Sequence, residues 1–317
     1  MVKILVNDGI EADGKLLLEE AGYEVNTTPV PQAELPHVLP NYDVIIVRSA
    51  TQVRKDLIDM CPNLKIIARG GVGTDNIDVE YAKSKGIEII TTPAASSQSV
   101  AELAMGHMLN LARFLHRSNR EMAGGDFKKL KSAYGGGTQL KGKTLGIVGF
   151  GRIGQELARM ALAMGMNVMP SDPFIQETDL KISFYNSKEA SLSLQLRSFP
   201  LEEVLKKAEF ISVHTPALGK ALIGAEEMAA MKNGAFIINC ARGGVVDEEA
   251  LLAALDSGKI GGAGLDAFKN EPNPNPALLN HPKISVTPHI GAATLEAQAN
   301  IGLELADKIL AFFGDDK

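Results

Sequence analysis

Short runs of β-branched and aliphatic residues recur along the chain, each followed by a stretch with apolar residues at helical spacing. VKILVND, DVIIVRS, LKIIARG and IEIITTP read as strands buried on both faces, because no polar residue interrupts their centres. EADGKLLLEEAG, VRKDLIDMCP and NIDVEYAKSKG lie between them and read as crossover helices, each ending near Gly or Pro. Such alternation predicts a doubly wound parallel sheet. A long helical segment follows, from about Ser97 to Met122, and then the Gly- and Lys-rich stretch GGDFKKLKSAYGGGTQLKGK. The strands then resume as TLGIVGF, NVMPSD, FISVHTP, AFIINCA, GGAGLDAF and KISVTPH. Six strands with intervening helices suffice for a second, complete sheet. The stretch Thr294 to Phe313 is one more amphipathic helix; it follows the finished second sheet and is expected to return to the first domain. A length of 317 residues also suggests two domains. The expected fold is α/β, with residues 1–95 and 292–317 forming one domain and 96–291 inserted as the other. Residues 175–199 are long for a strand-to-helix connection. DLKISFYN can form a small strand there, and the rest carries no assignment.

The second sheet opens with a phosphate-binding pattern. Residues 144–154 read TLGIVGFGRIG, a strand and then Gly149-x-Gly151-x-x-Gly154, followed by the helical QELARMALAMG. The first glycine permits a tight turn, the second lets backbone approach a pyrophosphate, and the third lets helix and strand pack closely. The helix N-terminus offers free N–H groups to the phosphates. Taken alone this pattern is weak. The next strand strengthens it, because NVMPSDP ends at Asp172, 18 residues beyond Gly154. A carboxylate there can accept from both ribose hydroxyls of NAD and would repel the extra phosphate of NADP. The bland alternative for Asp172 is an Asp-Pro turn residue.

Composition narrows the function classes. Apolar residues make up 45% of the chain and charged residues 22%, as in ordinary globular proteins. The net charge is −6 with no basic block, and there is no Trp and only five Tyr, so a nucleic-acid partner is not expected. MVKILVNDG runs straight into a strand and lacks a signal-peptide pattern. No run of apolar residues is long enough for a membrane span. Cys61 and Cys240 are too few for a disulfide framework or a metal site, so no metal is expected and a reducing cytoplasm is the simplest compartment.

In open parallel sheets, ligands bind beyond the carboxyl ends of the strands. His214, Thr215 and Pro216 follow FISV; Cys240, Ala241 and Arg242 follow AFIIN; Asp266 and then Glu271 follow GGAGL; His289 and Gly291 follow KISVTP. One arginine, two acids and two histidines are thus expected on the rim where a nicotinamide would sit. That set suits hydride transfer to a 2-keto acid. The carbonyl needs a proton donor near neutral pH, which histidine provides. A carboxylate on the other ring nitrogen orients the donor and favours its charged form. The substrate carboxylate needs a planar fork, which is arginine. Each residue alone could be structural. His107 and His116 read as packing or surface residues, and His37 and His281 as loop residues.

GFGRIG, VHTP, NCARGGVVDEEAL, GLDAF, NEP and TPHIGAAT resemble the D-isomer-specific 2-hydroxyacid dehydrogenases, and the resemblance covers nearly the whole chain. It implies a Rossmann dinucleotide-binding domain inserted into a flavodoxin-like substrate domain, with NAD as cofactor. By position, Arg242 would bind and polarise the substrate, and Glu271 would orient the acid/base His289. Asp266 would contact the nicotinamide carboxamide. Cofactor contacts would also fall on Arg152, Ile153, His214, Thr215, Pro216, Cys240, Ala241, Gly291 and Ala292. VRSATQV and VAELAMGHMLNLAR resemble the phosphoglycerate-oxidising members in particular. A phosphorylated substrate needs cations, and Arg48 and Arg69 end successive strands of the first domain. Both are expected to face the cleft between domains, with Ser49 and the Gly71–Val72–Gly73 backbone binding the carboxylate. Lys128, Lys129 and Lys131 lie in a segment that packs on a partner subunit in this family. The resemblance therefore implies a homodimer or homotetramer, one lysine reaching a neighbouring site or all three being solvated. Val72 and Thr74 depart from the phosphoglycerate pattern, as does the lack of an asparagine near Ser96. Glyoxylate/hydroxypyruvate reductase and D-lactate dehydrogenase activities are the alternatives, and an NAD(H)-sensing corepressor-like protein is a remote one. The chain ends at Lys317, so control through a C-terminal regulatory domain is not expected.

Overall fold

The computed structural model describes residues 1–184 and 187–314. The chain divides into two compact units, Met1–Ser97 together with the chain from Ala292, and Gln98–Gly291.

The first unit holds β1 (Lys3–Val6), β2 (Glu24–Asn26), β3 (Val44–Val47), β4 (Ile66–Arg69) and β5 (Glu88–Thr91). All pair in parallel in the order β2-β1-β3-β4-β5, the flavodoxin-like arrangement. The apolar runs supply both faces. Leu5, Ile45, Val47 and Ile67 enter one buried cluster, while Ile4, Val6, Val44, Ile46, Ile66 and Ala68 enter another. Successive side chains point to opposite faces, so a strand covered on both sides must be apolar throughout. The sequence pattern does not reveal β2. It is three residues long, partly exposed and at the sheet edge, so it carries no apolar run. Helix Leu295–Gly314 contributes Ile301, Leu305, Ala306 and Ile309 to the second cluster. It crosses helix Ala12–Glu20 where Gly14 meets the Gly302 backbone, and a Cβ on Gly14 would overlap the Gly302 carbonyl.

The second unit holds, in chain order, β6 (Thr144–Val148), β7 (Asn167–Ser171), β8 (Glu177–Phe184), β9 (Ser187–Arg197), β10 (Phe210–Val213), β11 (Ala235–Asn239), β12 (Ile260–Leu265) and β13 (Ile284–Val286). Six of these form a parallel sheet in the order β13-β12-β11-β10-β6-β7. The chain leaves β6 for β7 on one side and returns to β10 on the other. The topological switch point therefore lies between β6 and β10.

Two segments differ from the sequence reading. β8, which covers the small strand expected in DLKISFYN, pairs with β9 in an antiparallel ribbon, and β9 fills the part that carries no assignment in the sequence. The alternation in SLSLQLR is its signature, and Leu180 is the ribbon's buried anchor; two residues of DLKISFYN, 185 and 186, lie outside the described residues. The single long helix expected to reach Met122 is two helices, Ser97–Ala112 and Leu115–Met122. Phe114 takes a left-handed φ of 56° between them, and Asn110 Oδ1 accepts the His116 N–H at 2.6 Å. That side chain caps the new start, which periodicity alone cannot reveal. The Gly- and Lys-rich stretch contains a further helix, Phe127–Ala133, capped by Asp126. No helix among the described residues is long and apolar enough to cross a membrane.

The Gly14 contact yields a stability test. Gly14→Val should destabilise the first unit by about 1–3 kcal/mol, because the Gly302 backbone has no flexible end to move aside. Gly106→Ala, in a helix with open space around the new Cβ, should be neutral or stabilising by up to about 1 kcal/mol. Urea denaturation of the two variants checks the contrast; equal effects would contradict it.

Candidate active site

The three glycines after β6 have separate physical reasons. Gly149 has φ +89°, and a Cβ there would stand 2.6 Å from the His214 carbonyl oxygen. A Cβ on Gly154 would overlap the Gly149 carbonyl, so helix and turn touch there. A Cβ on Gly151 would meet nothing within 4 Å, which leaves space above the turn for a ligand. Gly151 is also the N-cap of helix Arg152–Ala163, and no side chain caps that end. Its first amides, including those of Arg152, Ile153 and Gly154, face the space an anion would fill.

Asp172 stands just beyond β7, and its carboxylate ties that loop together. Oδ2 accepts the Phe150 N–H at 2.7 Å, and Oδ1 accepts those of Phe174 and Ile175 at 2.8 and 3.1 Å. An ionised carboxylate offers about four acceptor sites. One remains for a ribose hydroxyl, fewer than the sequence reading allowed. At the end of β10 the side chain of Thr215 leaves a buried hydroxyl with no protein partner. An orphaned hydroxyl, an open glycine and an uncapped helix end at one switch point fit a dinucleotide.

The His214 ring is buried rather than presented on the rim that its place at a strand end suggests. Its Nε2 lies 2.8 Å from Ser212 Oγ, and its Nδ1 is buried without a partner. Burial pulls its pKa down to about 4, so the ring is neutral near pH 7. Pro216 follows it in an exposed loop.

The turn after β11 is built by Asn239. Its Oδ1 accepts the Ala241 N–H at 3.1 Å and its Nδ2 donates to the Arg242 carbonyl at 2.9 Å. Cys240 and Ala241 are buried in this turn, and burial together with the Asp266 charge pushes the Cys240 thiol far up. Arg242 Nη1 donates to the Ala241 carbonyl at 2.8 Å, half-buried beside the acid and the imidazole described next.

Beyond β12, Asp266 is 1% exposed and organises the loop 287–291. Oδ1 accepts Thr287 Oγ1–H at 2.6 Å and the Ile290 N–H at 2.9 Å, while Oδ2 accepts the Gly291 N–H at 2.9 Å. One acceptor site on Oδ2 is left for a carboxamide. Inside this clamp His289 adopts φ 54°, a left-handed conformation costing roughly 1–3 kcal/mol for a non-glycine residue. Its Nδ1 lies 2.7 Å from Glu271 Oε2, and Glu271 Oε1 accepts the Phe268 N–H at 2.8 Å. The bond to Glu271 raises the His289 pKa above its ordinary value; burial and the Arg242 charge oppose it, and the Glu271 and Asp266 charges support it. Burial pushes Glu271 up, yet His289, the Phe268 amide and the Arg242 charge outweigh it and hold the carboxyl below its usual range. Arg242 thus acts on both members of the pair. An oriented imidazole whose Nε2 is free to exchange a proton stands beside a guanidinium fork.

The other sequence-derived residues belong to the first unit. Arg48 follows β3; its backbone N–H donates to Asp8 Oδ2 at 2.7 Å, and its guanidinium bonds Gln298. Arg69 ends β4 and folds over Gly71, with Nη1 donating to the Gly70 carbonyl at 3.0 Å. Ser49 and Val72 are exposed, Gly73 is half-buried and Gly71 is buried with φ +141°. The Ala292 carbonyl accepts from Gln298 Nε2 at 2.6 Å. Lys128, Lys129 and Lys131 are exposed. Thr287, Ser285 and Asn110, which support the His289 loop, carry no signal in the sequence, and His107, which reads there only as a packing or surface residue, supports the same loop. His107 lies about 180 residues from its partners, a separation no spacing rule bridges.

Residues 105–291 match the profile of the D-isomer specific 2-hydroxyacid dehydrogenase NAD-binding domain. The chain is 43% identical over 318 residues to a hydroxypyruvate reductase of Thermotoga maritima, with 98% of each chain covered. It is 42% identical to a D-3-phosphoglycerate dehydrogenase of Methanocaldococcus jannaschii, where 98% of this chain spans only 57% of the relative. The crystal structure of TT0316 from Thermus thermophilus superposes with a TM-score of 0.83 at 31% identity, covering 99% of this chain and 97% of that one.

The Glu271–His289 pair gives a direct spectroscopic test. Replacing Glu271 by Gln should move the His289 imidazole titration, followed by NMR, to lower pH, because the strongest influence raising it is removed. An unchanged titration would disconnect the two side chains.

Proposed function

The chain belongs to the D-isomer-specific 2-hydroxyacid dehydrogenases, and from that premise we propose that it oxidises D-3-phosphoglycerate to 3-phosphohydroxypyruvate, the step that opens serine synthesis. NAD, held over Gly149, Gly151 and Gly154 with its ribose toward Asp172, would supply the hydride acceptor for C2. The protein handles the rest. Arg242 grips the substrate carboxylate and polarises the C2 oxygen. His289 Nε2 takes the hydroxyl proton during oxidation and returns it to the carbonyl oxygen during reduction. Glu271 stabilises the imidazolium formed in between. Asp172 disfavours a 2′-phosphate on the ribose, and Asp266 offers its remaining acceptor site to the carboxamide.

The observation that carries the phosphorylated substrate is the pair of arginines, Arg48 and Arg69, at the ends of adjacent parallel strands in the first unit. Two guanidinium groups on one sheet end suit a dianionic phosphate. Ser49 and the Gly71–Val72–Gly73 backbone supply neutral donors for the carboxylate. Hydroxypyruvate is the second reading, favoured by the Thermotoga relative, which the chain matches along 98% of its length. The protein's own assembly in this reading is a homodimer. The segment after Ala112 exposes Leu115, Met122 and Phe127 at 51%, 50% and 65%, more apolar surface than its short helices need for themselves. Two buried free cysteines suit a reducing compartment such as the cytoplasm.

Steady-state kinetics with phosphohydroxypyruvate, hydroxypyruvate and pyruvate separates the substrates. The phosphorylated acid should have the highest kcat/KM. Arg48→Gln should cut that value by on the order of 10–100-fold while changing hydroxypyruvate reduction little, because a charge-assisted bond to phosphate is lost only for the former. Equal kcat/KM for the phosphorylated and unphosphorylated acids would favour the hydroxypyruvate reading.

A further inference from the structure

His107 lies on helix Ser97–Ala112, packed over β12 and β13 of the six-stranded sheet. A Cβ on Gly264 of β12 would stand 2.6 Å from His107 Cβ and 3.1 Å from Nδ1, so only glycine admits the ring there. Nδ1 lies 2.9 Å from Ser285 Oγ and Nε2 lies 3.1 Å from Thr287 Oγ1. Asn110 Nδ2 donates to Ser285 Oγ at 2.6 Å, and Thr287 Oγ1 donates to Asp266 Oδ1 at 2.6 Å. His107, Ser285 and Asp266 are all buried.

For a neutral His107 ring, the proton directions in this chain have one consistent solution. Asn110 Nδ2 can only donate, and Asp266 Oδ1, already accepting the Ile290 N–H, acts as acceptor. Thr287 gives its proton to Asp266, so its oxygen needs a donor, and His107 Nε2 must carry hydrogen. His107 Nδ1 is then bare and accepts the Ser285 hydroxyl proton, while the Ser285 oxygen accepts from Asn110. Burial pulls the His107 pKa to about 4, in keeping with a neutral ring; the Asp266 charge opposes this and His116 assists it.

Resting on the reading of His289 as the acid/base group, we infer that His107 is a positioning residue for it. Its Nε2–H fixes the Thr287 hydroxyl, Thr287 fixes the Asp266 carboxylate, and that carboxylate holds the Ile290 and Gly291 amides that close the left-handed turn at His289. Thr287 also accepts the His289 N–H at its carbonyl, so the same residue grips the turn from both ends.

Imidazole nitrogen NMR on the intact enzyme tests the proton order without substrate. The His107 signals, assigned by their loss in His107→Gln, should report the neutral Nε2–H tautomer at pH 7. An Nδ1–H tautomer or an imidazolium would overturn the proposal. Kinetics on the best-used keto acid test the coupling. His107→Phe keeps a ring but no polar atom, and should lower kcat by on the order of tenfold, the rate equivalent of one misplaced hydrogen bond. His107→Gln, which offers an amide donor and acceptor, should recover most of kcat. Thr287→Val should lose as much as His107→Phe, and the double variant should lose no more than the worse single. Wild-type kcat in folded His107→Phe, or in Thr287→Val if the former does not fold, would overturn the coupling, as would multiplicative losses. Full turnover in His289→Asn would remove the reading of His289 and the coupling with it, and is told apart because the His107 tautomer would be unaffected.

Discussion

The 2.7 Å bond between Glu271 Oε2 and His289 Nδ1 sets what the second unit can do. An imidazole alone at a strand end has an ordinary pKa and a free rotor. With Glu271 on Nδ1, the ring is oriented, its charged form is favoured and Nε2 is left for chemistry. The bond needs His289 in a left-handed turn, and that turn exists because Asp266 collects Thr287, Ile290 and Gly291 around one buried carboxylate. The pair has a defined pH window. His289, with its raised pKa, contributes stability that is complete below the unfolded pKa and is lost as pH rises through the folded one. Glu271, with its lowered pKa, contributes stability present above its unfolded pKa and lost as pH falls through the folded one.

Around that pair, the parallel sheet of the second unit explains why the functional groups sit where they do. β11 and β12 are apolar up to their carboxyl ends, and β10 and β13 each carry a single buried serine, Ser212 and Ser285, while the charged residues appear only where the strands leave the sheet. The loops then interlock through backbone. A Cβ on Gly243 would overlap the Phe268 carbonyl, so the turn bearing Arg242 rests on the loop leading to Glu271. Small residues at such points let neighbouring strand ends approach closely enough for Arg242 to act electrostatically on Glu271 and His289. The same economy of space appears at Gly149, Gly154 and Gly264, each facing an atom that a side chain would displace.

Much of this was legible in the sequence because it depends on local pattern. Unbroken apolar runs marked the central strands, and the spacing of Gly149, Gly151, Gly154 and Asp172 marked the switch point. What escaped depends on long-range contacts or weak periodicity. β2 is a three-residue edge strand with no apolar run, and β9, the half of the ribbon beyond the strand expected in DLKISFYN, alternates Ser with Leu and carries no assignment in the sequence. The break at Phe114 is made by a side chain on the preceding helix, not by Gly or Pro. The position of His214 at a strand end suggests a rim residue, but Ser212 two residues earlier draws the ring inward. The positions of Asp172 and Asp266 suggest ligand groups, whereas most of their acceptor sites serve backbone amides and hydroxyls. Acids at strand ends hold loops first, and that role is invisible until the loop is folded.

The most direct test of the account is the pH dependence of kcat/KM for keto-acid reduction, compared between wild type and Glu271→Gln. In the proposed mechanism reduction draws its proton from the His289 imidazolium, so the wild-type rate should fall along a limb lying above the ordinary histidine pKa. In Glu271→Gln that limb should move to lower pH and the plateau should drop by roughly 10²-fold or more. A limb at the same pH in both enzymes, or a plateau left intact, would contradict the assignment of this pair as the proton-handling centre.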